Sequence, residues 1–72
     1  MKWRLISHSF KDIVQYLSKL VLSGVDKIND MKVIYKIDDS NVTYMLSAFD
    51  FIDLDLKEDT IKSISLYQVI KN

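Results

Sequence analysis

The stretch Met31 to Phe49, MKVIYKIDDSNVTYMLSAF, decides the fold. Val33, Tyr35 and Ile37 share one parity, and Lys32, Ile34 and Lys36 take the other. After the polar connection Asp38-Asp39-Ser40-Asn41, Val42, Tyr44 and Leu46 repeat the apolar parity, with Thr43, Met45 and Ser47 between them. Period-two alternation of β-branched and aromatic residues predicts two half-buried strands. With Asp38 to Asn41 as the loop, Ile37 faces Val42, Tyr35 faces Tyr44 and Val33 faces Leu46. That pairing puts six apolar side chains on one sheet face, and a slip of one residue scatters them.

Working back from the hairpin, the period changes to that of a helix. Phe10, Ile13, Val14, Leu17, Leu20 and Val21 form one stripe at spacings of three and four. Ser9 is suited to cap the first turn, with Asp12 as its acidic partner three residues on. The only glycine, Gly24, stands where the helix should stop. The spacing therefore predicts a helix over 10–23. Before it, Trp3 and Leu5 alternate with Lys2 and Arg4, which predicts a short strand over 2–6. Val25 to Asp30 reads as a connector anchored by Ile28.

Beyond the hairpin, AFDFIDLDL alternates Ile52, Leu54 and Leu56 with Asp53 and Asp55, which predicts a third amphipathic strand after a bend. Lys57 to Thr60 reads as a turn. The last run, IKSISLYQVIK, is rich in β-formers but drifts in parity, which predicts a bulge near Tyr67 or burial on both sides. A loop from Lys57 to Ile61 would set Leu54 opposite Ile64 and Ile52 opposite Leu66. The predicted fold is α+β: one helix on a mainly antiparallel sheet of four to five strands, in the order β-α-β-β-β(-β), with one sheet face open.

Seventy-two residues provide one core, so residues 1–72 read as a single small domain. The chain has no cysteine, which excludes disulfides and fits a cytoplasmic setting. No apolar run approaches the roughly 20 residues that span a bilayer. Net charge is zero, but seven basic side chains against three acidic ones give residues 1–36 a charge of +4, and three against seven give residues 37–72 a charge of −4. Packing of the two halves is expected to interleave these charges.

Catalysis finds little support. One glycine cannot build a phosphate-cradling loop. One histidine without cysteine cannot supply a zinc site, and Asp50, Asp53, Asp55 and Asp59 lack the spacing and glycine of a calcium loop. On a strand, Asp53 and Asp55 would form at most a weak cation site and more simply a solvated face. His8, between Ser7 and Ser9, reads as a capping or surface residue rather than a catalytic base. No cofactor is implied.

Binding is the better reading. The expected function is a small non-enzymatic interaction module, of the kind that phage or mobile elements use as inhibitors, which occupies a basic surface of a larger protein. Asp50, Asp53, Asp55, Glu58 and Asp59 are the expected partner contact. Ile34 and Met45, opposite each other on the hairpin's outer face, are the expected homodimer patch. The alternative is a weak nucleic-acid binder using Lys2, Arg4, Lys11, Lys19, Lys32 and Lys36, with Trp3, Tyr16 or Tyr67 stacking on bases.

Overall fold

The structure, a computed structural model, describes residues 1–71. The chain runs β1 (Lys2–Ser7), α1 (Phe10–Ser23), a 3-10 turn (Asp26–Asp30), β2 (Met31–Lys36), β3 (Tyr44–Ser47), α2 (Ala48–Leu54), a second 3-10 turn (Glu58–Thr60) and β4 (Ser63–Ile70). The four strands form one sheet in the order β1-β4-β2-β3. Each neighbouring pair is antiparallel. Because β1 and β2 both run against β4, they are parallel to each other, and α1 joins them across the strand between, a split β-α-β unit.

The hairpin register is the one its alternation predicts in the middle: Val33 faces Leu46 and Tyr35 faces Tyr44. It ends sooner, however. Ile37 and Val42 lie outside the strands and are exposed, so the connection spans 37–43 and four of the six apolar side chains, not all six, belong to the paired face. Tyr44, on edge strand β3, is 41% exposed and stacks on the buried Tyr35 at 5.3 Å between ring centroids. Short polar turns hold the loop: the Ser40 N–H donates to Asp38 Oδ1 at 2.9 Å, and the Val42 N–H donates to Ser40 Oγ at 3.2 Å. The Ser40 hydroxyl and N–H, with help from Lys36, hold the Asp38 carboxyl below its ordinary pKa. A carboxylate lowered in this way orders the loop above the ordinary carboxylate range, and that contribution is lost as pH falls through the lowered value. An NMR titration is expected to find Asp38 below the ordinary aspartate value, and Ser40→Ala to raise it; an unmoved pKa would contradict the loop geometry.

Helix α1 follows its sequence signals. The Asp12 N–H donates to Ser9 Oγ at 3.3 Å. Gly24 ends the helix at φ +65°, with the Gly24 N–H bonding back to the carbonyls of the last turn. A Cβ at Gly24 would meet nothing within 4 Å, so a substitution there costs backbone conformation rather than space. Gly24→Ala is expected to destabilise the domain by about 1 kcal/mol in urea unfolding, the cost of a left-handed alanine. Of the apolar stripe, Ile13 and Leu17 are fully buried, Phe10, Val14 and Leu20 are half-buried, and Val21 is exposed at the end.

The segment 51–56 is not a strand. Ala48–Leu54 is a two-turn helix whose first turn is capped by Ser47, whose Oγ accepts from the Asp50 N–H at 3.2 Å. Ala48 and Phe51, three apart, are its buried residues, whereas Leu54 is exposed. The spacing of three outweighs the alternation of Ile52, Leu54 and Leu56 because Ala48 and Phe51 fit the gap above β2 and β3. The proposed pairs Leu54–Ile64 and Ile52–Leu66 are accordingly replaced. Leu66 faces Val33 and Ile64 faces Tyr35, so the C-terminal strand enters the middle of the sheet. The irregularity expected near Tyr67 lies across from it in β1, where Leu5 pairs with Tyr67 but Ser7 pairs with Leu66, leaving Ile6 as the extra residue.

One core lies on one side of the sheet. Ile13, Leu17, Ile28, Met31, Val33, Tyr35, Ala48, Phe51, Ile64 and Leu66 form a single cluster. Both helices therefore cover the same face, and the other is left open.

Candidate functional site

Alternation assigns the side chains of the open face. The parity opposite Met31, Val33 and Tyr35 carries Lys32, Ile34 and Lys36 on β2, which face Tyr67, Ser65 and Ser63 on β4, and Val69 continues that parity opposite Trp3. On the edges these continue as Trp3 and Leu5 in β1 and as Met45 and Ser47 in β3. One row across the four strands reads Leu5, Tyr67, Lys32, Ser47, and the next reads Ser65, Ile34, Met45. The Trp3 and Tyr67 rings lie 5.7 Å apart at 57°, one tilted aromatic unit spanning β1 and β4. Val69 beside them is only 7% exposed, whereas Trp3, Leu5 and Met45 are 40%, 43% and 58% exposed. Beside Trp3 a recess of about 190 Å³ opens between Val69, Lys32, Lys71 and Asp30.

The four strands contain four basic residues, Lys2, Arg4, Lys32 and Lys36, and no aspartate or glutamate. All ten carboxylate side chains stand on helices, turns and loops. The charges of the two sequence halves meet at few points: Lys71 pairs with Asp30, and Lys36 helps to lower the Asp38 carboxyl. Among the described residues the ion pairs are Lys57–Asp55 at 3.5 Å, Lys62–Asp39 at 3.4 Å and Lys71–Asp30 at 3.2 Å. None of them joins a basic residue of the first half to an acidic residue of the second. The six first-half cations do not share one surface either: Lys2 and Arg4 alternate with Trp3 and Leu5, Arg4 donates to Gln68 Oε1, and Lys11 and Lys19 are on α1. Tyr16 is half-buried and packs against the core, away from the sheet's open face.

The five expected partner-contact carboxylates are all exposed, but they sit on a helix and a turn instead of one strand face. Asp50 and Asp53, three apart, share the outer side of α2. Asp55 caps α2 in a left-handed conformation, φ 49°, the one non-glycine residue among those described with positive φ. Glu58 and Asp59 stand in the second 3-10 turn. Asp55, Lys57 and Glu58 also rim a groove of about 340 Å³ between α1 and α2, whose floor is Phe10, Val14, Phe51, Ile52 and Leu56 with Ser18 beside them. Ile34 and Met45 do face each other across β2 and β3, within the larger apolar strip of the open face.

Two features bear on catalysis. His8 Nδ1 lies 3.0 Å from Ser65 Oγ, a contact across 57 residues that the local reading with Ser7 and Ser9 missed. No further group among the described residues hydrogen-bonds the other His8 nitrogen, and both side chains stand outside the two grooves. The pair tethers the start of α1 to β4, and Ser9 rather than His8 does the capping. Among the described residues, no three His, Cys, Asp or Glu side chains come together to hold a metal ion. Among the described residues, no helix is long and apolar enough to cross a membrane.

No family model, curated protein or solved structure matches this chain.

Proposed function

We propose that this protein is a small non-enzymatic interaction module that captures a larger protein by a basic, amphipathic segment. The observation that carries this is the groove between α1 and α2, with an apolar floor and a rim of Asp55, Glu58 and Lys57, the last of which pairs with Asp55 and leaves Glu58 unanswered. Its volume, about 340 Å³, lies at the small end of ligand pockets, and its open form suits partner side chains better than an enclosed substrate. A partner segment with apolar residues on one side and lysines or arginines on the other would fill the floor and meet the rim. Asp50, Asp53 and Asp59 extend the negative surface, and no lysine or arginine among the described residues pairs with them. Basic surfaces of this kind belong to proteins that handle nucleic acid, so an inhibitor of phage or mobile-element type is the role we assign.

A synthetic helical peptide of alternating leucine and lysine pairs, titrated by calorimetry, tests the reading. Binding is expected at low salt, with about tenfold weaker affinity for Asp55→Asn combined with Glu58→Lys, as expected for two rim charges. Asparagine keeps the left-handed cap, so this variant changes charge without strain. Equal affinity for the variant, or better binding of a glutamine-substituted neutral peptide, would contradict the reading.

A further inference from the structure

We propose that the open face of the sheet binds single-stranded nucleic acid, with bases stacked on Trp3 and Tyr67 and phosphates neutralised by Lys32 and Lys36. Neither its strands nor any other strand carries a carboxylate, although the chain has as many acidic as basic residues. The carboxylate that lines its recess, Asp30, is held by Lys71. The face thus carries Lys32 and Lys36 without a carboxylate on its own strands, although Asp38 of the adjoining loop lies within the field of Lys36.

What the face offers points the same way. Trp3 and Tyr67 form a tilted aromatic pair beside the buried Val69, with Trp3 40% exposed and Tyr67 half-buried. Ile34, Met45 and Leu5 extend the apolar surface, and Lys32 stands in the row of Tyr67. Lys32 and Lys36 are four positions apart on β2, roughly 13 Å at strand spacing. Aromatic rings bordered by lysines are the elements by which proteins hold unpaired strands, the rings taking base faces and the cations the backbone. A duplex hides its base faces, and this surface is a sheet without an element that could enter a groove.

The same charges disfavour the other occupants. Two copies placed face to face would oppose Lys32 and Lys36 with their own counterparts, and the strands supply no carboxylate to answer them. A basic protein segment would be repelled likewise, so this surface is independent of the groove on the other side of the molecule.

Trp3 is the only tryptophan, so its fluorescence reports directly on the face. The full chain would be titrated with dT12 and U12 oligonucleotides at about 50 mM salt, following Trp3 emission and the anisotropy of a labelled strand. Saturable quenching is expected for at least one of the two strands, and the difference between them tells DNA from RNA. The slope of log affinity on log salt is expected near −1.4, at about −0.7 for each of two phosphates neutralised. The matching duplex should bind at least tenfold more weakly. Lys32→Gln with Lys36→Gln is expected to weaken binding about tenfold, and Tyr67→Leu, which keeps the apolar packing, to weaken it by about tenfold through lost stacking. Asp55→Asn with Glu58→Lys should leave oligonucleotide affinity unweakened, whatever its effect on peptide binding. Failure to quench with either strand, duplex binding as tight as single-strand binding, or insensitivity to both the lysine and the tyrosine variants would overturn the proposal. A shift of Trp3 emission with protein concentration alone, accompanied by a doubled mass in light scattering, would assign the face to a second copy instead.

Discussion

Leu66→Ala is expected to lower the unfolding free energy by about 2–5 kcal/mol, the cost of deleting a large side chain from a packed core. Leu66 has no exposed surface and faces Val33 from the strand between β1 and β2. At roughly 0.05–0.15 kcal/mol per residue, a domain of this size has about 4–11 kcal/mol to lose, so the change removes a large fraction of it. The contrast that gives the number meaning is Leu54→Ala. Leu54 is exposed at the end of α2, and its truncation is expected to cost less than about 1 kcal/mol. Chemical denaturation of the two variants side by side checks both values. A costly Leu54→Ala would restore the strand reading of 51–56.

The second large effect is Phe51→Ala, expected at about 3–5 kcal/mol. Phe51 is buried and meets two other rings edge-on, Phe10 at 6.3 Å and Tyr35 at 6.1 Å. It thus joins α1, α2 and the sheet through one side chain. Phe49 makes the control. On a strand, Phe49 and Phe51 share a face and would matter alike; on a helix they point apart. Phe49 is 44% exposed, and Phe49→Ala is expected to cost under about 1 kcal/mol. Unfolding curves for the two alanine variants therefore read out the conformation of this segment without a structure. Equal losses would contradict α2.

The α+β class, the cap and stop of α1 and the centre of the hairpin register were legible in the sequence because each rests on residues close in the chain. Ser9, Gly24 and the pair Tyr35–Tyr44 needed only local spacing. Helix α2 was not legible, since seven residues make two turns and its apolar residues satisfy both periods over that length. Ser47 with Asp50 three residues later was the available sign of a helix start, and the alternation of Ile52, Leu54 and Leu56 masked it. The place of β4 was out of reach for a different reason. Its partners Trp3 and Leu5 are more than sixty residues away in the chain, and pairing at that distance leaves no periodic trace.

The same limit hid the candidate site. Read in order, Trp3, Ile34, Met45 and Tyr67 are scattered apolar residues, and comparing the two halves of the chain showed a charge difference that cut across the elements. The informative division is between strands and everything else: the strands hold basic residues without acidic ones, and the helices and turns hold every carboxylate. That division gives the molecule two unlike sides, an apolar groove between the helices rimmed by Asp55, Lys57 and Glu58, and a sheet face that carries Trp3, Tyr67, Lys32 and Lys36.

The sheet face exists because β4 stands between β1 and β2, bringing Trp3 and Leu5 onto one surface with Lys32 and Ile34. Hydrogen exchange at the amides of Leu66, Tyr67 and Gln68, followed by NMR, tests this most directly. These residues pair with β1 on one side and β2 on the other, so all three consecutive amides are expected to exchange slowly. Along β1, an edge strand, protection is expected to alternate. Alternating fast and slow exchange across Leu66, Tyr67 and Gln68 would make β4 an edge strand and would dissolve the face.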